Sequence, residues 1–256
     1  MDTKKIIFIV SITIKKLYTS IIWYIFNYAS FYKKMKSLNI VELKIFNFLQ
    51  WHQGAYYFKG KNNNTDIFIK TDYEFKLLSN ESKALELLNS NNYLKYKTAN
   101  LLFIDSVSSE YLCTSFVKGI SLRNYIEENK NNELKIKNII NQMINILKEF
   151  QTLKIIHRDI RLENFIISND TAYVIDFLFT ISNIETLGFK ELDLNNKNNL
   201  NILKTLGIKE YPNKLKWDDA YSLWIIFEDI KALIDVNIED EINETKTLIG
   251  NCTYEI

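Results

Sequence analysis

One string limits what this chain can fold into more than any other. It reads Ile156-His157-Arg158-Asp159-Ile160-Arg161-Leu162-Glu163-Asn164, and Asp176-Phe177 begins twelve residues further on. Polar side chains crowd the first part, and Val174-Ile175 precede the second acid. A buried strand ending there is expected to fix the position of Asp176. The residue types have a chemistry in common. A hard cation such as Mg²⁺ takes oxygen donors, completed by water or phosphate, and an Asn amide oxygen with an Asp carboxylate supplies them. Asp159 suits the orientation of an acceptor hydroxyl. A bare His-Arg-Asp arises often by chance. The tripeptide followed at five residues by Asn, then by an apolar run and Asp-Phe, does not.

The rest of the composition narrows the field. A chain of 256 residues buries a large core, as one domain or as a two-lobed unit. The 32 basic and 31 acidic side chains balance, so no global field recruits nucleic acid. An apolar content of 47% with 14% aromatics indicates a folded protein. Cys113 and Cys252 lack metal-ligand neighbours and suit a reducing compartment, so a cytoplasmic location is expected.

Residues 1–39 read as an extension. Lysine pairs alternate with the apolar run Ile6–Ile14 and the aromatic-rich run Leu17–Tyr32, each shorter than the roughly 18–20 residues that span a bilayer as a helix. Three readings stand: peripheral contact with the inner face of a membrane through residues 1–34, an element packed on the small lobe, or a true span. Residues 40–118 read as strands. Ile45–Trp51, Ala55–Lys59 and Asp66–Lys70 come first, the last two joined by a turn over Gly60-Lys61-Asn62-Asn63-Asn64. A helix over Asn80–Asn89 follows, with Ala84, Leu85 and Leu88 on one face, then strands Leu101–Ile104 and Tyr111–Phe116. Residues 119–256 are mostly helical in pattern, with Ser121 as a cap and a long amphipathic helix over Leu134–Leu153.

The His157–Asn164 string matches the catalytic loop of the protein kinases at every fixed position, and the chain resembles the protein-kinase-like superfamily. The resemblance implies an α+β, two-lobed fold: a five-stranded antiparallel sheet with one helix, then a mainly helical, truncated second lobe. It implies ATP and Mg²⁺ as cofactors. Asp159 would orient the acceptor hydroxyl, Asn164 and Asp176 would hold metal, and Asp219 would brace the loop. Lys70, closing Ile67-Phe68-Ile69-Lys70, would contact the α- and β-phosphates and pair with Glu81, with Glu86 or Glu74 as alternatives. Backbone groups at Ser115 and Val117 would hold adenine over Ile166, and Arg161 would help neutralise the transferred phosphoryl group. Arg158 would pair with an acid on the following segment or remain a solvated charge.

The chain also departs from the family pattern. Gly54 stands nearly alone where a glycine-rich loop is usual, Leu178 replaces the glycine after Asp-Phe, and Phe68 replaces a small residue above adenine. No Ala-Pro-Glu lies between Asp176 and Asp219. With few residues after the Asp219 helix, peptide docking has little surface. A small or glycan acceptor is then expected, such as a sugar of a lipopolysaccharide core. A protein serine/threonine kinase and a catalytically inactive binding or scaffold module are the alternatives.

Overall fold

A computed structural model describes residues 3–48, 51, 55–73, 75–105, 110–212 and 214–256. The architecture is α+β and follows the two-lobed kinase-like plan, with a five-stranded antiparallel sheet and seven α-helices among the described residues. Two compact units divide it: Met1–Leu78 with Leu101–Phe116, and Ser79–Asn100 with Val117–Ile256.

The small unit begins with helix α1 (Thr3–Ser37). Asn39 stops it in the left-handed region, at φ 58°, which Asn tolerates better than most residues. The sheet has the order β1-β2-β3-β5-β4, built from β1 (Ile40–Ile45), β2 (Ala55–Asn62), β3 (Thr65–Asp72), β4 (Leu101–Ile104) and β5 (Tyr111–Ser115). The first strand therefore precedes the expected Ile45–Trp51, of which residues 49 and 50 lie outside the described residues. Asn47 takes φ 47° and breaks the extended run, and the Trp51 indole N–H turns back to donate to the Phe46 carbonyl at 3.0 Å.

The β2–β3 turn is also shorter than the five residues expected. Asn63 and Asn64 form it alone, with φ 47° and 64°, the pair of positive values a two-residue hairpin requires. Gly60 belongs to β2 opposite Ile67, and a Cβ there would lie 2.8 Å from Ile40 Cγ2. Close packing of β1, rather than a turn, explains that glycine.

The core of this unit joins α1 to the sheet. Trp23, Phe31 and Met35 are buried with Tyr56, Phe58, Ile67 and Ile69. Trp23 stacks on Tyr56 at 4.4 Å between ring centroids, and Phe31 meets Phe58 at 4.7 Å. Lys34 reaches the Asp105 carboxylate at 3.1 Å. The segment is thus an element packed on the sheet, and no helix among the described residues is long and apolar enough to cross a membrane.

The large unit takes α2 (Leu78–Ser90) from Ser79 onward, α3 (Leu122–Asn129) and α4 (Glu133–Thr152). The apolar positions read from the sequence point inward: Ala84, Leu85 and Leu88 on α2, and Ile136, Ile139, Ile140, Met143, Ile144, Leu147 and Phe150 on α4. Ser121 caps α3 by accepting the Asn124 N–H at 3.3 Å. The strand pairs β6 (Ile120–Ser121) with β8 (Phe165–Ser168) and β8 with β9 (Thr171–Val174) frame the loop between β7 (Ile155–Ile156) and β8. Downstream come β10 (Ile181–Ser182), α5 (Lys197–Thr205), β11 (Lys216–Asp218), α6 (Asp219–Lys231), α7 (Glu239–Thr247) and β12 (Thr253–Glu255). Gly119 lies where a Cβ would come within 2.3 Å of the Ile167 carbonyl oxygen, so only glycine lets this stretch pass β8.

Candidate active site

The catalytic-loop string is held from behind by α6. Asp219, in its first turn, accepts the backbone N–H of His157 at 2.6 Å and of Arg158 at 3.0 Å. Burial pushes the Asp219 carboxyl up to about 7, against the two N–H bonds, which favour its charged form. His157 is buried in the core. Its Nδ1 accepts the Asp159 N–H at 3.3 Å, leaving Nε2–H to donate to the Ile175 carbonyl at 3.0 Å. Its ring meets Phe177 edge-on at 4.8 Å. This histidine thus ties the loop to the segment after β9 that carries Asp176.

Asp159 sits among fixed donors. Its Oδ1 accepts the Gly207 N–H at 3.1 Å and an Arg161 guanidinium N–H, and its Oδ2 accepts from Asn164 Nδ2 at 3.1 Å. The same Asn164 Nδ2 donates to the Asp159 carbonyl at 2.8 Å. With the amide nitrogen committed to Asp159, the Asn164 Oδ1 is the atom with chemistry for a cation. The Ile175 N–H donates to the Asn164 carbonyl at 3.0 Å, which holds Asp176 one residue from the Asn164 backbone. Asp176 is half-buried and adopts φ 68°. An Asn amide oxygen and an Asp carboxylate are donor types that suit Mg²⁺, and the backbone bond brings the two residues near each other in the chain fold. Ile166 is half-buried on β8, opposite Tyr173. Leu178 is buried, and the left-handed backbone falls on Asp176 two residues earlier.

Three residues that the sequence did not single out complete this region. Glu191 holds Arg158, which is 2% exposed: Arg158 Nη1 donates to both Glu191 carboxylate oxygens, at 3.0 and 2.8 Å. The guanidinium also stacks over Trp217 at 4.1 Å. Of the two readings of Arg158, the pairing with a downstream acid is the one observed. Gly207 takes φ 59°, and a Cβ there would stand 2.6 Å from the Arg158 carbonyl oxygen. Lys209 donates to the Lys204 and Leu206 carbonyls at the end of α5. Burial, with Arg158 and Arg161 nearby, lowers its ammonium to about 8. A lone glycine in Leu206-Gly207-Ile208 was the one sequence signal for this close approach. Glu191, 33 residues from its partner, left none.

In the small unit Lys70 is buried on β3, between Tyr57 of β2 and Leu112 of β5 in the register. Glu81 is buried in the first turn of α2, which belongs to the large unit. Ser115 ends β5 opposite Ile67, and the next N–H, from Phe116, goes to the Asp66 carbonyl at 2.9 Å. Val117, half-buried, opens the large unit. Gly54 and Glu74 lie outside the described residues.

The sheet face that carries Lys70 is rich in aromatic side chains. Phe68 meets Phe46 edge-on at 5.9 Å and stacks with Tyr57 at 5.8 Å. Lys59, opposite Phe68, lies over both Phe46 and Phe116, at 3.8 and 3.7 Å. The face that the resemblance gives to adenine therefore carries more bulk than a small residue would leave.

No family model matches the chain. A stretch of 101 residues, 40% of the chain, is 31% identical to a probable serine/threonine-protein kinase of Dictyostelium discoideum and spans 15% of that protein's length. The likeness supports a kinase-like phosphotransferase in general terms.

Proposed function

We propose that this chain is an ATP- and Mg²⁺-dependent phosphotransferase that moves the γ-phosphoryl group to an acceptor hydroxyl. The observation that supports it most is the Asp159–Asn164–Asp176 constellation, in which one amide positions the acid and still offers its oxygen to a cation. Asn164 and Asp176 would hold Mg²⁺, which would supply positive charge against the nucleotide phosphates. Asp159 accepts or orients the acceptor hydroxyl. Arg161, half-buried against Asp159, offers its planar fork to the phosphoryl oxygens. Lys70 takes the α- and β-phosphates with Glu81 as its counter-charge. Backbone groups at Ser115 and Val117 hold the base over Ile166, and the base meets an aromatic ring at Phe68.

For the acceptor we favour a small hydroxyl compound, a sugar of a membrane glycan, over a peptide. The segment between Asp176 and Asp219 supports this, since it has no Ala-Pro-Glu and folds tightly back on the loop through Glu191 and Gly207. A protein serine/threonine acceptor is the second reading, favoured by the likeness to the probable serine/threonine-protein kinase of Dictyostelium. A nucleotide-free binding module is the third, favoured by the aromatic cluster around Phe68.

Incubation with γ-labelled ATP, together with either a membrane glycan extract or a generic protein substrate, separates them. Label in the glycan fraction, abolished by Asp159→Asn, is the expected result. Label only in protein rejects the sugar acceptor, and no label in either with no nucleotide binding rejects transfer altogether.

A further inference from the structure

Helix α1 has two sides with different fates. One side is spent on the sheet through Trp23, Phe31 and Met35. The other exposes Ile14, Tyr18, Ile21, Ile25 and Tyr32, a stripe at helical spacing, with Leu17, Ile22 and Phe26 beside it. Tyr18 and Ile25 are each 64% exposed and Phe26 is 74% exposed. Single exposed apolar residues are ordinary on a protein surface, but a continuous stripe on one helix marks a surface that something covers.

The charge on the helix selects what covers it. From Thr3 to Val41 there is no carboxylate, while Lys4, Lys5, Lys15, Lys16, Lys33, Lys34 and Lys36 all lie in that stretch. Lys34 is paired with Asp105, and Lys33 and Lys36 are exposed beside the end of the stripe. A second copy of the same helix laid along this one would set lysines against lysines with no acid on either partner. A layer of anionic headgroups answers the exposed Lys33 and Lys36, and the tyrosine rings suit the depth where headgroups meet acyl chains.

We propose that α1 lies in the plane of an anionic lipid bilayer, with the Ile14–Tyr32 stripe in the headgroup and acyl boundary and the sheet held on its far side. The inference is independent of the phosphotransfer reading, since it uses no residue of that site.

Co-sedimentation of the full chain with phosphatidylcholine vesicles, with and without about one-third phosphatidylserine, tests it. Binding to the anionic vesicles is expected, about tenfold or more above binding to pure phosphatidylcholine, and falling as salt is raised. Ile21→Asp with Ile25→Asp removes binding while leaving the melting temperature unchanged, because both positions face solvent. Lys33→Glu with Lys36→Glu weakens it and flattens its salt dependence. No binding to either vesicle overturns the proposal. So does a concentration-dependent dimer, seen by sedimentation velocity, that Ile25→Asp converts to monomer.

Discussion

The catalytic-loop region and the small unit are held together by different physics. Around Asp159 the loop is held by directional polar bonds: Asp219 under the loop, His157 to Ile175, Asn164 to Asp159, Glu191 to Arg158, whose buried Nε and Nη2 lack a hydrogen-bond partner among the described residues. The small unit instead rests on stacked and edge-on rings, Trp23, Trp51, Tyr56 and Phe58 among them, contributed by α1, β2 and the segment before β2. Directional bonds fix atoms to within tenths of an ångström, as a reacting group needs, whereas ring packing fixes volume and tolerates exchange of one ring for another. A chain can then retain the polar bonding of one unit while the sheet of the other carries aromatic bulk.

Substitutions that act on one region and spare the other sharpen this contrast. The largest effect is expected from Asp159→Asn, which should lower kcat by about a thousandfold while leaving ATP affinity within about threefold, as suits loss of a positioned acid. Equal loss of both, read by single-turnover kinetics beside calorimetric titration, would mean that Asp159 serves binding. Trp23→Ala should cost about 3–5 kcal/mol of unfolding free energy by chemical denaturation, because a buried ring is removed from a packed cluster. A loss below about 1 kcal/mol would show that α1 is not part of the small unit's core.

The legibility of the two regions in the sequence follows the same division. The loop was readable because directional chemistry demands residue identity: Asp219 accepts two backbone N–H groups and Asn164 bonds Asp159 twice, as few other side chains can. Helices α2 and α4 were readable because burial on one face imposes its period on Ala84, Leu85 and Leu88 and on Ile136 through Phe150. The first strand was misplaced because aromatic residues on both sides of Asn47 carry no period that separates strand from packed loop. The turn was misplaced because Gly60 pointed to a bend when its cause was the nearness of Ile40. Glu191 was invisible, since a partner 33 residues away in an irregular segment obeys no spacing rule.

Smaller effects test the loop's supports. Glu191→Gln should destabilise by about 2 kcal/mol, less than a fully buried pair because Glu191 is only partly covered, and Glu191→Asp should recover part of the loss. An unchanged melting temperature for Glu191→Gln would mean that Trp217 alone holds Arg158.

A separate test concerns pH dependence. Asp219 titrates near 7 in the folded state, above its ordinary value, so between about pH 4 and pH 7 the folded chain binds more protons than the unfolded one. Its contribution is therefore full below pH 4 and declines as pH rises through 7. Asp219→Asn should remove that slope from the urea-denaturation profile. An unaltered slope would show that the two backbone N–H bonds keep the carboxylate charged throughout.

Thermal unfolding of the full chain with millimolar ATP, with and without Mg²⁺, bears most directly on the claim that Asn164 and Asp176 hold a metal for nucleotide phosphates. At about a hundred times the dissociation constant the stabilisation is about 2.7 kcal/mol, a rise in melting temperature of about 5–10 °C. That rise should require Mg²⁺ and vanish in Asp176→Asn. A melting temperature indifferent to ATP and Mg²⁺, or a rise that survives Asp176→Asn, would contradict the assignment.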